Sequence, residues 1–309
     1  MRLALIVLLA AFGCHRAPPP APPTNQAAAP DFTATAADVL GFLPADADLV
    51  VGFDVAAMRR SALWQTFQPQ LQALGKEFEK LGGACGPNPL DTLERIALAA
   101  KVSTDGSVHG VVVVHGVDTS RVLDCIVAQA NKAGGTAKLD RGVALLTYAD
   151  RPNLQTAATT VGPATLVMQV DTIANADTIG QVLASGTPLR KSTSFMTLFQ
   201  RREPNASVWG MANGNAPMFA ELAQMGMRPR SVDGTLTVTD RFAFALRLTM
   251  ASPDEASHVA GELGKIKGPV GAMVERFDSR VEGPMVVLDV VVTEPQLRSL
   301  LGMVGAFAP

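Results

Sequence analysis

The chain predicts an α+β fold: mostly antiparallel sheet with helices packed on one face, built from two similar halves. Three observations carry that expectation. Alternating apolar and polar residues mark a series of short strands. The strands come in pairs across turn residues, which sets neighbours antiparallel. The order strand, turn, strand, helix then returns near the C-terminus. With 309 residues the chain can bury a sizeable core, in one large domain or two small ones.

In chain order, Asp48–Asp54 is the first strand, with Leu49, Val51 and Phe53 turned inward after the Leu43-Pro44 bend. Ser61 can cap a helix carrying Leu63, Trp64, Phe67, Leu71, Leu74, Phe78 and Leu81, kinked at Pro69 and ended by Gly82-Gly83. Its spacing follows one helical face, so it reads as core packing. Arg95–Val102 is a strand with Ile96, Leu98, Ala100 and Val102 on one side and Arg95 and Lys101 on the other. Ser103 to Ser107 is turn chemistry. Val108–His115 follows, apolar enough in Val111–Val114 to be covered on both faces. Asp118, Thr119 or Ser120 can cap a helix with the stripe Val122, Cys125, Ile126, Gln129, which Gly134 can end.

A hairpin over 137–148 turns at Asp140-Arg141-Gly142, and another joins Ala158–Val161 to Thr165–Val170 across Gly162-Pro163. Helices are expected over Asn175–Ala184 and, capped by Ser192 or Ser194, through Phe195 and Leu198. Ser207–Met211 is the counterpart of the first strand and Ala216–Met225 that of its helix. Met211, Met218, Met225 and Met227 read as core filler ahead of an adaptable binding surface. Thr235–Thr239 and Phe242–Met250 are paired strands around Asp240-Arg241. Ser252-Pro253-Asp254-Glu255 is a capping box opening a helix with Val259, Ala260 and Leu263. The hairpin 274–292, turning at Glu282-Gly283-Pro284, repeats the one at 137–148, and a last helix starts near Pro295. The halves are accordingly residues 32–204 and 205–309.

Composition narrows function by exclusion. The formal net charge is −2, and the basic pairs Arg59-Arg60, Arg201-Arg202 and Lys265/Lys267 are scattered, so no concentrated face for nucleic acid exists. No apolar run reaches the ~20 residues a spanning helix needs. Aromatic residues are 5%, with one Tyr, which argues against a stacking platform for sugars or bases.

At the amino terminus, Met1-Arg2 is a short positive region and Leu3–Phe12 an apolar one that stops at Gly13-Cys14. This resembles a bacterial lipoprotein signal, with Ala11-Phe12-Gly13-Cys14 as its lipobox. Ala11 stands where Leu is commonest, and Phe12 where a small residue is usual. The resemblance implies that residues 1–13 are a signal peptide and that Cys14 becomes the lipidated N-terminus. Losing Arg2 and no acid takes the net charge to −3. Residues 14–31 are an Ala/Pro-rich tether that favours extended conformers and lifts a folded body off the membrane. His15, where retention at the inner membrane uses Asp, points by analogy to the outer membrane. The implied location is the bacterial envelope, facing the periplasm or the cell surface. The stretch Leu43-Pro44-Ala45-Asp46-Ala47-Asp48 before a strand is similar to that of exported bacterial domains of unknown function, a likeness that brings no activity with it.

With Cys14 lipidated, Cys85 and Cys125 are the two thiols left in an exported chain, and an even pair there is most simply a disulfide. Closing that loop stabilises by about 4 kcal/mol in the chain-entropy picture. A Cys nucleophile beside His109 or His115 is the competing use, and it needs a thiolate next to a base. His109 and His115 are six residues apart on one strand, roughly 20 Å, too far to share a metal. His15 and His258 add no ligand spacing, so solvated or hydrogen-bonded histidines are expected. Asp46 and Asp48 are the closest carboxylates, and turn shaping is their expected use. Gly261-x-x-Gly264-Lys265 faintly evokes a phosphate loop but reads as a helix C-cap. No motif marks a catalytic site, a metal or a cofactor. The expectation is a membrane-anchored lipoprotein acting as a non-enzymatic binding or structural module in the envelope. The alternative is a carrier of an apolar ligand or lipid, favoured by 48% hydrophobic residues. A hydrolase, the third reading, would require Ser, His and Asp side chains converging in a cleft.

Overall fold

The computed structural model describes residues 38–68, 92–103, 107–184, 188–214, 216–220, 223 and 227–299. Within them, strands β1 (Leu49–Asp54), β2 (Arg95–Val102), β3 (Val108–His115), β4 (Thr136–Asp140), β5 (Val143–Tyr148), β6 (Arg151–Val161), β7 (Thr165–Asp171), β8 (Val208–Asn213), β9 (Ser231–Val238), β10 (Arg241–Thr249), β11 (Arg276–Glu282) and β12 (Met285–Thr293) build a large sheet. Helices α1 (Val55–Arg59), α2 (Val122–Lys132), α3 (Ala176–Ala184), α4 (Thr193–Gln200) and α5 (Pro253–Gly271) pack on it, and residues 62–68 and 294–299 are also helical. Every strand pair whose register is described is antiparallel. The architecture is α+β.

Two compact units interleave along the chain. One takes its described residues from Met1–Ala45, Pro69–Ala97 and His109–Lys191, the other from Asp46–Gln68, Leu98–Val108 and Ser192–Pro309.

In the first unit the strands run β2-β3-β7-β6-β5-β4. The β4–β5 loop has two residues, Arg141 at φ 49° and Gly142 at φ 77°, as a primed hairpin turn requires. Val113 and Val114 are fully buried and Val111 and Val112 nearly so, which matches a strand covered on both faces. The helix α2 buries Val122, Cys125, Ile126 and Gln129, the stripe its spacing predicts, and packs on β4 and β5. Its N-cap differs from expectation. Arg121 holds that position, because Asp118 Oδ1 is engaged by the Ser120 N–H (3.0 Å) in the turn before it. At Gly116, φ is +94° and a β-carbon would lie 2.5 Å from the Glu94 backbone nitrogen, so only glycine fits. The strand β6 begins at Arg151, earlier than the expected Ala158. Its first residues are polar and include Pro152, which follows a bulge at Thr147/Tyr148, a place where a strand tolerates proline.

In the second unit the order is β11-β12-β10-β9-β8-β1-β2. The expected counterpart strands β1 and β8 pair with each other, Leu49 opposite Ala212 and Phe53 opposite Val208. Register corrects two expectations. Leu49 and Val51 do not turn into the core: Val50 is the fully buried residue of β1, on the side of Met211, while its neighbours are half-buried. Nor do helices keep to one face. Phe199 of α4 meets Trp209 edge-on at 5.0 Å, whereas α5 sets Ala256 and Val259 against Val286 and Leu248, which lie on the opposite face by register. A sheet with apolar residues on both sides needs cover on both. Ser61 caps the helix at 62–68 as expected, its Oγ accepting from the Trp64 N–H at 3.1 Å. The rest of that helix, Pro69 included, lies outside the described residues. Ser252 Oγ accepts from Glu255 N–H as the expected capping box requires, while the Glu255 carboxylate accepts from the Ala251 N–H, one residue before the cap. The expected C-cap at Gly261–Gly264 is overturned: α5 continues to Gly271, and those glycines are interior. Over the expected helix 216–225, Pro217–Phe219 is a short 3-10 turn.

Candidate functional site

An apolar depression lies on the second unit. Strand register puts Leu49, Val51, Val208, Leu236, Phe244 and Leu246 on one sheet face, with Phe219 beside them, and they line a groove of about 300 Å³. Its floor is low because Gly210 and Gly234 sit opposite each other between Val51 and Leu246. A β-carbon on Gly210 would meet nothing nearer than 3.8 Å, so the missing side chain is open volume. Phe244 stays 38% exposed. Among the described residues, the Thr235 hydroxyl and the Trp209 indole N–H are the polar side-chain groups of the lining, and no charged residue lines it. Such a surface can hold apolar matter by area removed from water, about 25 cal/mol per Å².

Beneath the opposite face of the same unit, Asp233 is 3% exposed and faces Arg247 directly across the β9–β10 ladder, Oδ2 to Nη1 at 3.4 Å. Burial pushes the Asp233 carboxyl above its ordinary value, against the pull of Arg247 and Arg201. A strand that begins at Thr235, as the alternation predicts, does not include Asp233, so the pair has no signal in the sequence pattern.

In the first unit, His109 Nδ1 and Asp171 Oδ1 are 2.8 Å apart, and the Thr172 N–H and hydroxyl also donate to Oδ1. Partial burial alone would raise the Asp171 carboxyl, but those hydrogen bonds outweigh it and hold the group below the usual carboxylate range. The Thr172 hydroxyl bonds the carboxylate, so this Asp–His pair is not set out with it as a nucleophilic triad. His115 Nδ1 lies 2.9 Å from Thr165 Oγ1 and its Nε2 3.6 Å from Glu94. Both histidines are hydrogen-bonded, as expected. Asp46 bonds Lys101 at 2.8 Å, and Asp48 Oδ2 accepts from the Val102 N–H, so the two carboxylates fasten the start of β1 to β2. Met211 is buried and Met227 packs on the α5 cluster, both as core filler. Cys125 is buried on α2 and is not free. Cys14, Cys85 and His15 lie outside the described residues. Among the described residues, no group of three His, Cys, Asp or Glu could hold a metal ion, and no helix is long and apolar enough to cross a membrane.

Fold and sites together define an α+β protein with a large antiparallel sheet. Crystal forms III and IV of TP0453 share that fold, each with a TM-score of 0.52 and 12% identity over 85% of this chain, covering 97% and 96% of theirs. At that identity the likeness is one of fold alone. No protein-family profile matches the chain, and no curated protein matches it.

Proposed function

We propose that this chain is a bacterial envelope lipoprotein, anchored through Cys14 in the outer membrane, whose body is a non-enzymatic module that binds an apolar ligand. The observation that carries the binding reading is the groove on the second unit, apolar along its walls and floored by two glycines. Lipid extraction and mass spectrometry of the purified body are expected to return an acyl-bearing molecule. Gly210→Ile fits a strand and fills the floor, so it should lower the recovered amount about tenfold, the effect of overpacking by 1–3 kcal/mol. Extracts free of lipid from wild-type protein would overturn the carrier reading.

The repeat of two halves belongs to the same proposal. The strand order supports it: β8-β9-β10-β12-β11 in the second half matches β1-β2-β3…β5-β4 in the first, with β7-β6 inserted. A disulfide between Cys85 and Cys125 is a further part of the proposal. Thiol titration of the exported, lipidated protein, unfolded without reductant, is expected to find no free thiol, Cys14 being blocked by its lipid and the other two cysteines paired. Two reactive thiols would refute the pairing.

A further inference from the structure

The first unit holds a second cavity, of about 440 Å³, that the apolar groove does not explain. One wall is the chain at Phe42 and Leu43, closed by the Leu189 N–H donating to Leu43 O at 2.7 Å and by the Pro44–Pro188 bridge. The facing wall is the end of β7 with the first turn of chain beyond it, Asp171 and Thr172, and the third is α3 with Gln181 and Val182. The chemistry is two-sided: apolar at Phe42, Leu43 and Val182, polar at Asp171, Thr172 and Gln181. Among the described residues, Asp171 is the only charged one that lines it, and Arg190 nearby is tied to Asp38, its Nη2 2.6 Å from Oδ1. His109, Thr172 N–H and the Thr172 hydroxyl all bond Asp171 Oδ1, so Oδ2 is the oxygen left for a ligand. An anion would be repelled by this carboxylate, and a wholly apolar molecule would leave its Oδ2 without a hydrogen-bond partner. A cation with donor hydrogens and a short apolar body satisfies both walls.

We propose that this cavity binds a small organic ammonium ion, its charge met by Asp171 Oδ2 and its carbon chain laid against Phe42, Leu43 and Val182. The partners of Oδ1 fix the carboxylate in place before the ligand arrives, which lowers the ordering cost of binding. The site is separate from the groove and carries its own test.

Isothermal titration of the full mature chain with n-butylammonium chloride should give a saturable 1:1 curve, and sodium butyrate should give none. Asp171→Asn keeps the acceptor for His109 and should weaken butylammonium at least tenfold. Val182→Trp fills the cavity from α3 and should abolish binding with Asp171 intact, so the test survives if Asp171→Asn fails to fold. Asp177→Asn, an exposed carboxylate on α3 paired with Arg141, should bind as wild type does. The proposal is overturned if wild type shows no saturation, if butyrate or potassium ions compete equally, or if both cavity variants bind normally.

Discussion

Cys14→Ala is expected to move the protein from the membrane pellet to the soluble fraction when it is expressed with its own leader in a bacterial host. Each buried methylene contributes about 0.8 kcal/mol, so one chain holds a protein marginally and several hold it stably. On the proposed anchoring, replacing Cys14 changes the fraction bound from nearly all to nearly none. The Ala/Pro-rich sequence of residues 14–31 shows no amphipathic pattern. Palmitate labelling of the wild type, absent in the variant, is the companion readout. A variant that still sediments with membranes would show that anchoring runs through something other than Cys14.

Much of the fold was legible because each element carries its own local pattern. The helix α2 announced its buried stripe four residues deep, and the capping box at Ser252 marked the start of α5 to the residue. What misled was the assumption of one buried face. In β2, Ala97 and Ala99 are fully buried while Ile96 and Leu98 are only half-buried. Alanine on a closely covered face leaves a weak mark in sequence, and the larger residues on the other side draw the eye. The same reversal at β1 hid the groove. Leu49 and Val51 were read as core, yet they look across Gly210 and Gly234, which reach the same face only through pairing of β8 with β1 and β9. Asp171 and His109 are 62 residues apart, and only the β3–β7 ladder brings them together. No spacing rule reaches that far. Polar strand starts failed for a related reason: Arg151–Thr156 and Ser231–Gly234 are strands because partners hold them, against their own weak propensity.

Asp233 shows what such a hidden residue is worth. Arg247→Met should destabilise the protein by about 3–5 kcal/mol at neutral pH, because it leaves a buried carboxylate without its cross-strand partner. Urea denaturation checks this directly. The pH dependence follows from the direction of the shift. Asp233 binds its proton more tightly folded than unfolded, since burial raises it. Its unfavourable contribution is therefore full above the folded value and fades as pH falls through that value towards the ordinary carboxylate range. Losing Arg247 removes one of the two cations that hold the value down, so the variant's folded carboxyl rises further and the recovery on acidification begins at a higher pH. The deficit against wild type should accordingly shrink in acid. Combining Arg247→Met with Asp233→Leu removes both charges and should restore most of the lost stability, as apolar replacement of a buried pair does elsewhere. If the single variant unfolds at the wild-type urea midpoint, the ladder pair carries no weight. If its deficit is the same in acid and at neutral pH, the loss comes from packing of the arginine stem. The double variant separates these causes, because restored packing without restored charge leaves the acid-dependent part absent.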